Sequence, residues 1–164
     1  MTPSSCPGCG FSGGRATCQD VFDDVSLRVR ALAWTDSLKT WRLMHDVYNV
    51  QHPDDFCATY DRLVLHLGGV CWALEHGGQE RGYRALQQAV ERNPWSQEVY
   101  PPAPGLPATR GTITIANLAK LAEPPHLISG VDRWARAAWV AYAPLQPLAR
   151  TWIHHALTGI AARR

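Results

Sequence analysis

A chain that opens on two cysteines in a tight turn, Cys6-Pro7-Gly8-Cys9-Gly10, and carries no second pair of that spacing has to find the partners of those thiols far away. In Cys-x-x-Cys followed by glycine, both sulfurs can reach one cation from a single turn, and glycine lets the backbone approach the thiolates. Zinc closes its shell with four ligands, so two more donors must come from elsewhere in the fold. Residues Met1 to Thr17 are rich in Ser, Gly and Pro and would stay loose unless such an ion tied them down. The plainer alternative is a disordered tail with incidental thiols.

The distant donors are sought in the run from Trp41 to Leu67. A helix capped by Asp36 or Ser37 and ending near Gln51, ahead of Pro53, places Leu38, Trp41, His45, Tyr48 and His52 on one stripe. Two imidazoles stand where leucines would be expected, and each costs free energy unless its ring nitrogens are satisfied. A core histidine held by a carbonyl or carboxylate is the usual explanation for one such residue. Two on one stripe, with His66 on the following helix, favour at least one metal ligand. The expected ligand set is therefore Cys6, Cys9, His52 and His66, with Cys18 and His45 as alternates. Cys18 packs equally well as a small buried hydrophobe.

The rest of the chain reads as helix after helix. Thr17 can cap a helix over Cys18 to Ala33, with Asp20 in its first turn and Cys18, Phe22, Val25, Val29 and Leu32 on its apolar stripe. Pro53 opens a third helix running to His76, where Gly77-Gly78 stops it. Within it Gly68 and Gly69 remove side-chain bulk beside His66, so another element can come close. Cys57 and Cys71 have no partner at ligand spacing and read as core. Gln79 to Asn93 forms a fourth, more polar helix, broken by Pro94. A proline-rich strap follows, then a short helix in Thr112 to Leu121. A helix from His126 carries Val131, Trp134, Ala138 and Tyr142 on one face. Pro144 and Pro147 interrupt it before a last helix over Leu148 to Ala162. Of the adjacent His154 and His155, at most one can face the first three helices. The fold class is all-α: one domain of 164 residues, a bundle of about five to seven helices with a metal-tethered knuckle. It divides into the knuckle over 1–17, helices over 18–93, the strap over 94–111 and helices over 112–164.

The motifs together resemble an uncharacterised bacterial family of unknown function. The residues that carry the likeness are CPGCG, Cys18 with Phe22, Asp46-x-Tyr48-x-x-Gln51-His52-Pro53, His66-Leu67 and the Trp-rich carboxy-terminal helix. The likeness spans most of the chain and implies a metal site without bringing a reaction. The family pattern has a histidine near the position of Arg42 and another near Leu145-Gln146; this chain has neither.

Charge and composition exclude several functions. A formal charge of +2 with scattered basic residues does not build a nucleic-acid surface. No apolar stretch attains the roughly 18 to 20 residues that cross a bilayer, and the opening residues lack the pattern of a signal peptide. The expected location is the cytoplasm, where five cysteines stay as thiols or metal ligands. Thiolate with imidazole favours zinc, although iron and copper accept the same donors. Four protein ligands make a structural site. Three would leave room for an activated water, with His45, Asp46 or Tyr48 as base or orienting group and a small molecule as substrate. No HExxH string is present, nor a histidine after the second cysteine as haem attachment requires. A third reading makes the chain an interaction module that binds a protein or a small molecule, with Tyr100 to Pro107 as the contact surface.

Overall fold

The computed structural model describes residues 5–32, 34–92 and 105–161. Among them are eight α-helices and a short 3-10 turn, and no strand. The helices are α1 (Gly14–Arg30), α2 (Trp34–Gln51), α3 (Pro53–Phe56), α4 (Tyr60–His76), α5 (Glu80–Arg92), α6 (Ile115–Ala119), α7 (Pro124–Ala141) and α8 (Gln146–Ala161), with the 3-10 turn at Ala143–Leu145 between the last two.

Helix α2 is the axis of the arrangement. It packs against α1, α4 and α7, while α4 also meets α5 and α8, and α6 lies on α1. A helix with neighbours on three sides cannot have a single apolar stripe. Accordingly its most deeply buried side chains include Leu43, Met44, Val47 and Val50, alongside Tyr48. The stripe read from sequence is only the flank of α2 that faces α1, and Leu38, Trp41 and His45 on it are half-buried.

Several boundaries differ from those the sequence suggests. Helix α1 starts at Gly14, so Thr17 and Asp20 lie inside it, and no acidic residue occupies its first turn. Helix α2 starts at Trp34, which puts Asp36 and Ser37 within its first turn rather than ahead of it. The single helix expected from Pro53 to His76 is two helices. The chain breaks at Cys57, and Thr59 recaps it by accepting the Arg62 backbone N–H on its hydroxyl. A side-chain oxygen that satisfies an otherwise unpaired N–H makes a restart cheap. The αL cap of α4 falls at Gly77, φ +81°, as the glycine pair implies.

The carboxy-terminal half follows its pattern closely. Val131, Trp134, Ala138 and Tyr142 are all buried. Trp134 and Trp152 fill the core, and the indole N–H of Trp152 donates to the Tyr60 hydroxyl at 3.3 Å. Pro144 sits in the 3-10 turn and Pro147 in the first turn of α8, where a missing N–H costs nothing. His154 and His155 are both exposed, so neither faces the first helices. Residues 105–111 of the expected strap have no regular structure; 93–104 lie outside the described residues. No helix among the described residues is long and apolar enough to cross a membrane.

A candidate metal centre of three thiols and an imidazole

The knuckle is built by the backbone before any metal is considered. The Cys6 N–H donates to the Phe11 carbonyl at 2.7 Å, and the Gly10 N–H donates back to the Cys6 carbonyl at 2.8 Å. Gly10 takes φ +77°, the left-handed conformation this turn needs and side chains resist. Gly8 meets a different constraint. A Cβ there would collide with the His52 ring and stand 2.9 Å from the Gln51 carbonyl oxygen. The glycine thus lets the turn lie flat against the end of α2. Arg110 ties the same turn from the far side, donating to the Gly8 carbonyl at 3.4 Å.

Four donors converge where knuckle, α1 and α2 meet. The Cys6 and Cys18 sulfurs stand 3.4 and 3.5 Å from His52 Nε2, and the Cys9 and Cys18 sulfurs 3.6 Å from one another. All four donor atoms lie within 4.8 Å of each other. Cys6, Cys18 and His52 are buried, while Cys9 is half-buried. His52 is held in the right tautomer, because its Nδ1–H donates to the Tyr48 carbonyl at 2.7 Å and so turns the Nε2 lone pair to the thiols.

These spacings suit a tetrahedral ion. With zinc–sulfur bonds near 2.3 Å and zinc–nitrogen bonds near 2.0 Å, the edges of a regular tetrahedron are about 3.8 Å between sulfurs and about 3.5 Å from sulfur to nitrogen. The three separations above fall close to those edges. The Cys9 and Cys18 thiols share a hydrogen bond. That bond, helped by His52, lowers Cys9 to about 4 against the effect of burial. As the other partner in the bond, in a buried site, Cys18 is pushed up. Thiols grouped with an imidazole form a donor set that gives up protons to bind a soft cation.

A row of rings supports the centre from behind. Trp41 and His45 lie 4.1 Å apart, His45 and Phe22 4.9 Å, Phe22 and Tyr48 3.9 Å, and Tyr48 and His52 4.1 Å, between ring centroids. The Tyr48 hydroxyl is held by Arg15 and donates to Gln19 Oε1 at 3.1 Å, and Arg15 also meets Asp55 at 2.9 Å. Burial pushes the Tyr48 hydroxyl up, so it stays protonated.

Of the expected ligands Cys6, Cys9 and His52 come together, and the fourth donor in the cluster is Cys18, named as an alternate, rather than His66. His66 projects from α4 toward another flank of α2, where its Nδ1–H donates to Asp46 Oδ1 at 2.9 Å. Position 46 is turned by roughly 100° to 160° around α2 from 45, 48 and 52, which sets His66 on a different flank from the thiols. His45 is outside the cluster as well; its Nδ1 pairs with the Trp41 carbonyl at 2.9 Å. Asp46 and Tyr48, considered as bases, are committed to His66 and to Arg15 and Gln19. Cys57 and Cys71 are buried thiols, both pushed up to about 12 chiefly by burial.

Gln51 is the residue whose importance pattern reading missed. Fully buried, it donates to the Arg110 and Ile113 carbonyls at 2.8 and 2.9 Å and accepts the Trp134 indole N–H at 3.0 Å. It thereby anchors the segment carrying Arg110 beside the metal centre. The only signal for it is its place directly before His52-Pro53.

The family model for a family of unknown function, DUF5946, matches residues 4–143. No curated protein and no solved structure matches the chain. The match runs from the knuckle to the end of α7, and the chain belongs to this family of unknown function.

Proposed function

We propose that this member of the family is a zinc protein in which Cys6, Cys9, Cys18 and His52 hold the ion as a closed, structural centre. The observation that carries the reading is the convergence of three thiols and one imidazole within 4.8 Å, with the Cys6–His52, Cys18–His52 and Cys9–Cys18 spacings close to the edges of a zinc tetrahedron. Bound there, zinc supplies charge to hold three thiolates and a fixed point that joins knuckle, α1 and α2. Thiolate-rich donors select zinc, iron or copper over magnesium and calcium, and a full set of four leaves no coordination position for substrate. That favours a structural role over a metal-bound water assisted by His45, Asp46 or Tyr48. The chain is then a cytoplasmic protein, in a compartment whose reducing conditions keep its thiols available. Its partner is a small molecule or another protein, recognised away from the ion.

Metal analysis of the purified protein and the visible spectrum of its cobalt-substituted form test this. One zinc per chain is expected, with the strong absorption of tetrahedral cobalt and thiolate-to-cobalt charge transfer. A folded, metal-free protein from zinc-replete cells, or the weak spectrum of six-coordinate cobalt, overturns the reading.

A further inference from the structure

Roughly a quarter-turn around α2 from the metal centre, Arg42, Asp46, Asn49, His66, Tyr83 and Gln87 help to line a cleft of about 230 Å3. The cleft is built rather than incidental. Asp46, only 9% exposed, reaches in between α2 and α4 because Gly69 faces it, and a Cβ at that position would overlap its carboxylate. Asp46 Oδ1 takes the Nδ1 proton of His66, which fixes the ring. The Asn49 amide nitrogen lies 3.1 and 3.3 Å from the two nitrogens of that ring, nearly equidistant, as a group over the ring face would be.

Two donors on residues that line the cleft are buried with no acceptor. Arg42 pairs through Nη2 with Glu80 at 3.1 Å and lies over the Tyr83 ring at 5.2 Å, yet its Nε–H is buried without a partner. The Tyr83 hydroxyl, on a residue 6% exposed, is likewise unmet. Burial pushes Tyr83 up, so it keeps its proton and remains a donor. Folded proteins pair nearly all such groups, and two orphans on adjoining side chains call for an explanation. The acidic neighbours do not meet them in this arrangement: Asp46 Oδ1 takes His66, and Glu80 Oε1 takes Arg42 Nη2 and Arg84.

We propose that the cleft between α2, α4 and α5 binds a small carboxylate whose two oxygens accept from Arg42 Nε–H and Tyr83 O–H, with the Asp46-oriented His66 ring and Asn49 as the rest of the polar wall. A carboxylate brings two acceptors for two unmet donors, and a guanidinium is suited to it. The cavity is smaller than the roughly 300 to 1,000 Å3 of pockets for larger ligands, which limits the occupant to an acid of a few carbons. The site shares no ligand with the metal centre.

The test uses the intact, metal-loaded chain, with metal content measured in each sample so that failure of the zinc reading shows separately. Acetate and pyruvate are titrated at constant ionic strength against chloride, with acetamide as the uncharged control, and the Arg42 Nε–H resonance is followed by NMR. A saturable downfield shift with both acids, and none with chloride or acetamide, is expected. Tyr83→Phe should weaken binding at least ten-fold while leaving the melting temperature unchanged or raised, since the hydroxyl it removes has no partner. Equal shifts with chloride, saturable binding of acetamide, unaltered affinity in Tyr83→Phe, or a lowered melting temperature in that variant would each overturn the proposal.

Discussion

Two flanks of α2 make opposite use of polar side chains. On the flank facing α1, His52 spends one ring nitrogen on the Tyr48 carbonyl and turns the other to the Cys6 and Cys18 sulfurs, with Cys9 beside Cys18, so that the donors converge on a common centre. On the flank facing α4 and α5, Asp46 and His66 satisfy one another, while Arg42 Nε and the Tyr83 hydroxyl are left unmet. The first flank gathers donors that one cation would close; the second has donors to spare. A helix buried on three sides can thus carry a stabilising centre and a candidate recognition site together, because a quarter-turn separates their chemistry.

The largest effect should come from breaking the centre alone. Cys18→Ser is expected to lose bound zinc and destabilise the chain by several kcal/mol, since binding energy at a structural zinc site is folding energy. His66→Gln should keep one zinc per chain. Metal analysis and thermal unfolding of both variants decide whether Cys18 or His66 completes the set.

Gln51 tests the connection behind the centre. Gln51→Ala removes three hydrogen bonds and strands a buried indole N–H and two carbonyls, for a loss of about 3 kcal/mol in chemical denaturation. Gly69→Ala strikes the other flank, forcing the Asp46 carboxylate out of its place at a cost of about 2 kcal/mol. Metal content should remain at one ion per chain, and the Asp46–His66 hydrogen bond should vanish from the imidazole NMR spectrum.

The smallest effect concerns His45, between the two flanks. Burial lowers its pKa below the ordinary value of 6.5. A depressed folded pKa means that its contribution is fully present above 6.5 and is lost as pH falls through the folded value. His45→Gln should therefore flatten the decline of unfolding free energy between pH 7 and pH 5, and an unchanged slope would show that the ring is as easily protonated folded as unfolded.

How far the sequence could be read depended on the range of the interaction involved. Helical periodicity is local, so α5, α7 and the face Val131, Trp134, Ala138 and Tyr142 were legible, as was the stop at Gly77. The break at Cys57 was hidden because Pro53 starts a helix convincingly, and the competing signal is one hydroxyl at Thr59. The stripe on α2 was legible as a stripe, but its flanks were not, because the choice between them belongs to the helices that surround it.

By itself the sequence determined that the chain is helical, that CPGCG forms a turn presenting two thiols, and that His52 was a candidate to answer them, since spacing and residue chemistry act over a few residues. Tertiary structure alone decided that Cys18 joins Cys6, Cys9 and His52 while His66 turns to Asp46. That choice rests on the angle at which α1 and α4 meet α2. Such an angle is fixed by side chains packing from several helices at once, and no window along the chain contains them all.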